Sequence, residues 1–195
     1  MATTKTSASI IAKGTSNAAF TQLTGLTLTR SGTTASAAKT SHGLSTSDKV
    51  LIQGANLVEY NGLFTITVTD ANNFTYTMSA DPGASAAGTA ATADKVTLGT
   101  ALDLTTAYDC VLFGGLQNTT TGPTIAPQVW LGLSTSNTES AYIWRQILAG
   151  DTTANSWTSL VLDLSQSAQY INLAVCRNTG QAVDCFVLAS YITAV

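Results

Sequence analysis

Apolar residues in this chain recur at every second position, and no long stretch carries the 3.6-residue period of a helix. Phe64-Thr65-Ile66-Thr67-Val68-Thr69 places Phe64, Ile66 and Val68 on one face and threonines on the other, and Phe74-Thr75-Tyr76-Thr77-Met78 repeats the arrangement. The intervening Asp70-Ala71-Asn72-Asn73 is turn-forming, so the two runs read as a hairpin with one apolar face and one hydroxyl face. Leu26 to Arg30 alternates in the same way. A period of two that recurs along the chain, with no long helical period, predicts an all-β fold.

The pattern divides the chain. Lys49 to Gln53 is a further short strand and Tyr60-Asn61-Gly62 a turn, so residues 31–93 read as a small antiparallel β module. Small-residue stretches, Ser31 to Ala38 and Pro82 to Ala90, bound it. The second is alanine-rich, yet its glycines, its serine and the Asp81-Pro82-Gly83 turn favour a loop or edge strand over a helix. Beyond it, strand-like runs at Val96 to Leu98, Asp109 to Phe113, Gln128 to Leu133, Tyr142 to Leu148, Trp157 to Leu164, Tyr170 to Cys176 and Val183 to Ile192 are joined by Asn, Gly, Ser and Thr loops. This predicts a β-sandwich or jelly-roll-like domain over residues 94–195. Its last strand is almost continuously apolar, which predicts a central or interface position. Residues 1–30 form an N-terminal arm and the first strand or strands. Ile10-Ile11-Ala12 is a candidate strand, while Met1 to Ser9 is either disordered or ordered by packing on a neighbour. Leu23 to Arg30 leave two arrangements open, with the small module in tandem with the sandwich or inserted between its strands.

Composition restricts function. Hydrophobic residues make up 45% of the chain and charged residues only 10%, with eight basic and eleven acidic side chains and a net charge of -3. Soluble domains ordinarily carry about a quarter charged residues, so the polarity here comes from serine and threonine hydroxyls. There are too few cations for a phosphate-tracking groove, and nucleic acid is not an expected partner. Uninterrupted apolar runs fall far short of the roughly twenty residues of a spanning helix, and no membrane partner is expected. Met1 to Ser9 lacks an apolar signal core, which predicts synthesis in a cytoplasm. Cys110, Cys176 and Cys185 show no C-x-x-C spacing. Cys176 and Cys185 flank Asn178-Thr179-Gly180 and are candidate diagonal neighbours across a hairpin, although buried free thiols are the reading a reducing compartment favours.

Catalytic chemistry has little to work with. His42 is the sole histidine, so any histidine-based triad must use it, with Ser41 or Asp48 nearby in sequence. The plainer reading makes it a turn residue whose ring caps backbone groups. Gly114-Gly115 lacks the downstream glycine and helix of a phosphate loop. Paired carboxylates of the glycosidase kind must be drawn from Glu59, Glu139 and nine aspartates. Those at 70, 81 and 151 sit in turn sequences where a carboxylate bonds its own backbone. Asp163, between Leu162 and Leu164, faces solvent or pairs with Arg145 or Arg177. A calcium loop is not supported, because Asp-x-Asn spacing alone is far from an EF-hand. The expectation is a non-enzyme with no catalytic, cofactor-binding or metal residues. Trp130, Trp144 and Trp157, with Tyr142 and Tyr170, offer either an interior or intersubunit core or, if exposed together on a rim, a sugar-stacking face.

One segment resembles a known family. His42-Gly43-Leu44 opening the strand Lys49 to Gln53, then Tyr60-Asn61-Gly62 opening Leu63 to Val68, then Asn73-Phe74-Thr75-Tyr76 and Gly88-Thr89-Ala90, is similar to a small β module common in structural proteins of tailed bacteriophages. The resemblance covers roughly residues 27–92 and implies a fold, with no catalytic pattern to carry over. A jelly-roll-like chain with such a module and an N-terminal arm is also similar to capsid decoration, or cement, proteins, which sit as trimers on the outside of phage heads. That resemblance implies a virion structural protein on the outer face of the capsid. Its implied partners are the major capsid protein and further copies of itself, most simply as a trimer. Tail, collar or fibre-attachment roles and a virion glycan- or receptor-binding module are the alternatives.

Overall fold

The computed structural model describes residues 3–17, 20–86, 90–118, 120–123, 126–136, 143–164, 169–176 and 183–194. In chain order the strands begin with β1 (Thr3–Asn17), β2 (Leu23–Thr24), β3 (Thr27–Ser31), β4 (Thr34–Ala38), β5 (Lys49–Gln53), β6 (Gly62–Thr65), β7 (Thr67–Asp70) and β8 (Asn73–Thr77). They continue with β9 (Thr92–Leu98), β10 (Leu102–Asp103), β11 (Ala107–Asn118), β12 (Gln128–Ser134), β13 (Ile143–Ala149), β14 (Trp157–Leu164), β15 (Tyr170–Cys176) and β16 (Val183–Ala194). The fold is all-β, and the chain forms two compact units: Phe20–Val96, and Met1–Ala19 together with Thr97–Val195.

In the smaller unit, β3, β4, β8 and β7 form one antiparallel sheet, and β6, β5 and β9, with β2 on β9, form a second. The threonine alternation becomes burial: Phe64, Ile66 and Val68 turn toward the core, while Thr65, Thr67 and Thr69 are exposed. The expected hairpin exists between β7 and β8, but the run from Phe64 to Val68 is not one strand. At Ile66 the chain changes sheets, its N–H donating to Asp48 O and its carbonyl accepting from Ser47 N–H. A two-sheet core needs such corners, and periodicity alone does not reveal them. The unit begins at Phe20 rather than near residue 31, because Leu23, Leu26 and Leu28 bury in its core with Phe74, Tyr76 and Ile52.

The larger unit is a β-sandwich of jelly-roll type. One sheet runs β1-β16-β11-β14; on the other, β12 lies between β13 and β15, and β10 adds to β15. Leu112 and Leu116 from β11 and Val183, Cys185 and Val187 from β16 pack against Val129 and Leu131 from β12 and Ile171, Leu173 and Val175 from β15. Strand β16 is central, between β1 and β11, as its apolar run predicted. Met1 to Ser9, expected to be disordered or ordered by a neighbour, belong from Thr3 onward to strand β1, which also takes in the candidate strand Ile10 to Ala12. It pairs antiparallel with β16 from Thr3 opposite Ala194 to Asn17 opposite Val183, with irregularities between Ser9 and Ile11 and between Ile11 and Thr15. A backbone ladder asks for no side-chain period, and β16 offers a full unpaired side on which to build it.

Candidate interaction face

The sheet β1-β16-β11-β14 turns one face to the sandwich core and the other outward. Cys110, Leu112 and Leu116 point inward from β11, leaving Val111, Phe113, Gly115 and Gln117 outward. On β14 the inward residues are Leu160, Leu162 and Leu164, and the outward ones Trp157, Ser159, Val161 and Asp163. Register aligns them: Phe113 lies opposite Val161 on one side and Leu188 on the other, and Gln117 lies opposite Trp157 and Asp184. Trp157 stacks on Phe186, with ring centroids 5.3 Å apart and planes 27° from parallel. Gly115 sits under this pair. A Cβ there would collide with Thr158 O and come within 2.8 Å of the Trp157 ring, so the indole lies flat only because the position is glycine. Val161 is 76% exposed, Trp157 50% and Phe113 38%, which makes a contiguous apolar patch with half-buried Leu188 and Phe186. Along β1 the outward Lys5, Ser7 and Ser9 are exposed, small apart from the lysine.

The tryptophans are therefore neither gathered on a rim nor buried together in the sandwich. Trp157 is on the outer face of one sheet. Trp130 and Trp144 belong to β12 and β13 of the other, half-buried, with Trp130 Nε1 donating to Gln128 Oε1 at 3.1 Å. Tyr142 lies outside the described residues. Trp157 is one of the aromatic candidates named from the sequence; Phe113, Val161 and Leu188 are not among them. Their signal is in the sequence: β11, β14 and β16 carry apolar residues at both parities, as strands covered on two faces do.

His42 is the turn residue of the plainer reading. It is buried; Leu44 N–H donates to Nδ1 at 3.0 Å, so the ring donates from Nε2 to Asp70 O at 3.1 Å, and its edge meets Phe74 at 5.4 Å and 83°. Gly43, at φ +66°, supplies the left-handed step that folds Leu44 back over the ring. Asp48 is occupied elsewhere, pairing with Lys95 at 2.7 Å and accepting from Ser45 N–H at 2.9 Å. Ser41 donates its backbone N–H to Asn72 Oδ1. Nothing joins His42, Ser41 and Asp48 into a proton relay.

The other titratable candidates are likewise structural. Asp70 accepts from Asn72 N–H and from the Asn73 amide, bonds that hold its carboxyl below the usual range, the Asn73 side chain contributing most. Asp81 caps Gly83 N–H and pairs with Arg30 at 2.8 Å. Asp151 accepts from Thr153 N–H, and the buried Asn118 amide at the end of β11 ties this loop down through Asp151 O and Thr153 O, both at 2.9 Å. Asp163 is exposed; Arg145 lies on the other sheet, and Arg177 and Glu139 fall outside the described residues. Gly114 and Gly115 lie inside β11, not in a loop before a helix. Among the described residues no three His, Cys, Asp or Glu side chains converge as a metal site.

The cysteine hairpin is corrected. Cys176 ends β15 and Cys185 lies in β16, and these strands belong to opposite sheets, so the two positions are not neighbours across a hairpin. Cys185 is a buried free thiol, which burial pushes up to about 12.

No family model matches the sequence, and no curated protein matches it. Among solved structures, the chain is similar to infectious bursal disease virus, Gt strain, at 14% identity and a TM-score of 0.34 over 50% of this chain and 26% of that one. It is similar to a pentameric capsid protein from metagenomic phage sequences at 15% identity and 0.27, over 50% and 59%. It is similar to the xylan-binding module CBM15 at 11% identity and 0.33, over 76% and 94%. The chain thus spans about a quarter of the first of these. Scores this low transfer neither a fold family nor a role.

Proposed function

We propose that the chain is a structural protein of a tailed-phage virion, specifically a decoration or cement protein that binds the major capsid protein on the outside of the head and acts by non-covalent contact. The observation that carries this reading is what the phage-module motif residues do. His42 spends both ring nitrogens on backbone groups. Asn61 closes the 55–61 loop by accepting from Ala55 N–H and donating to Ala55 O and Leu57 O. Tyr60 donates to Ala84 O, and Tyr76 donates to Tyr60 O. These four motif side chains are committed to backbone groups of their own unit, which supports a scaffold; Gly88 and Thr89 of the motif lie outside the described residues. A hydroxyl-rich surface with few charges suits contacts that must persist through changes of salt. Cryo-electron microscopy of the intact particle tests the proposal: density for this chain on the outer face of the head supports decoration, and density confined to tail, collar or neck moves the role there.

The exposed indole of Trp157, with Gln117 opposite it and Asp184 one strand beyond, favours a second reading as a glycan-binding module carried on the virion. The indole lies flat on the Phe186 ring, and the apolar side chains Phe113, Val161 and Leu188 continue the same face, which suits a protein surface better than a sugar. A glycan array with wild-type protein and the Trp157→Ala variant decides: binding lost in the variant would establish it.

A further inference from the structure

We propose that the outer face of the β1-β16-β11-β14 sheet is the contact by which two copies of this chain pair, face to face, about a two-fold axis running along the strands. The inference does not rest on the virion reading. A two-fold axis in that direction lays β1 of each copy over β14 of the other and β16 over β11. The two flanks of the face differ in a way that this operation matches. Strand β14 carries the protruding side chains, Trp157 and Val161, whereas β1 carries the small Ser7 and Ser9. Ser9 is level with Val161 through Leu188 and Phe113, so the most exposed apolar side chain of this face in one copy meets a serine of the other.

Charge follows the same pattern. Lys5 on β1 and Asp163 on β14 are both exposed on this face, and among the described residues neither has an ion-pair partner. Asp163 is level with Ser7, one outward position from Lys5, so the axis brings each lysine within side-chain reach of the other copy's aspartate, twice. Asp184 of each copy meets Gln117 of the other. An axis across the strands would instead set Lys5 over β1 and Asp163 over β14, leaving like charges on like flanks. The size suffices: four strands about 4.8 Å apart and roughly eight residues long at about 3.3 Å each give roughly 500 Å² per copy, or about 1,000 Å² for the pair, the lower bound for a specific interface. Aligned sheet-on-sheet packing of twisted sheets is a common solution for two such faces.

Sedimentation velocity on the full chain tests the pairing. Wild-type protein is expected to dimerise at micromolar concentrations, and Val161→Lys, at a side chain too exposed to matter for folding, is expected to be monomeric there. Lys5→Asp should weaken the dimer roughly two- to thirtyfold, two surface ion pairs being lost, and Lys5→Asp with Asp163→Lys should restore it. A strict wild-type monomer overturns the proposal. So does a trimer, a dimer indifferent to Val161→Lys, or a double variant no better than Lys5→Asp alone. Thermal melts of each variant keep loss of folding distinct from loss of contact.

Discussion

The imidazole of His42 accepts one backbone hydrogen bond, donates another and lies edge-on to Phe74, so removing it leaves the buried Leu44 N–H and the part-buried Asp70 O without their partner. His42→Ala is expected to cost about 2–4 kcal/mol, from an orphaned buried donor and a lost aromatic contact, read as a shift in denaturant midpoint, with no chemistry lost. Asp70 makes the acid-sensitive counterpart. Its folded carboxyl titrates below its ordinary value of 3.8, so its stabilising effect is present above that value and is lost as pH falls through and below it. Thermal melts between neutral pH and pH ~3 should show a steeper loss for wild type than for Asp70→Asn; equal slopes would mean that the turn does not depend on the charge. Turn chemistry of this kind was legible in the sequence, because an Asx side chain bonds its own backbone within a few residues. The tertiary half of the His42 site was not, since Asp70 and Phe74 reach it from a different hairpin.

Strands were legible wherever side chains set their period. Trp157–Leu164 and Tyr170–Cys176 fall at the expected bounds, because one parity of each packs into the core. In strand β1 only Ile10 to Ala12 were legible, since the order of the rest comes from a backbone ladder on β16, and the sheet change at Ile66 was hidden because apolar alternation continues through it. The cysteine hairpin failed for a related reason: the turn signal of Asn178-Thr179-Gly180 in the sequence does not say whether the strands before and after it share a sheet, and β15 and β16 do not. Gly115 tests how the outer face is built at this scale. Gly115→Ala puts a methyl group against Thr158 O and the Trp157 ring. It is expected to destabilise the sandwich by about 1–3 kcal/mol, the usual cost of overpacking, and to shift tryptophan emission as the indole lifts from Phe186. An unchanged midpoint and unchanged emission would show that the β11 to β14 spacing accommodates the methyl group.

Across the whole molecule, composition and architecture bear on the same property. Alternation along the chain established an all-β fold, and a 10% charged content left the surface to hydroxyls, but neither indicated which face of which sheet stays apolar, because that depends on strand order. With strand order in hand, the balance of forces in self-association can be stated. Exposed ion pairs contribute little and are screened as the Debye length falls from about 10 Å at 0.1 M salt to about 3 Å at 1 M. Contacts by Phe113, Val161 and Trp157 are not screened, and sulfate strengthens them through its exclusion from protein surface. Raising sodium chloride from 0.1 to 1 M is therefore expected to weaken the dimer by no more than the roughly thirtyfold that two ion pairs represent. An equal ionic strength of sulfate should weaken it less, or tighten it. Analytical ultracentrifugation in the two salts separates the cases. A dissociation constant that climbs by several powers of ten in both would mean that charge, not the apolar face, holds the copies together.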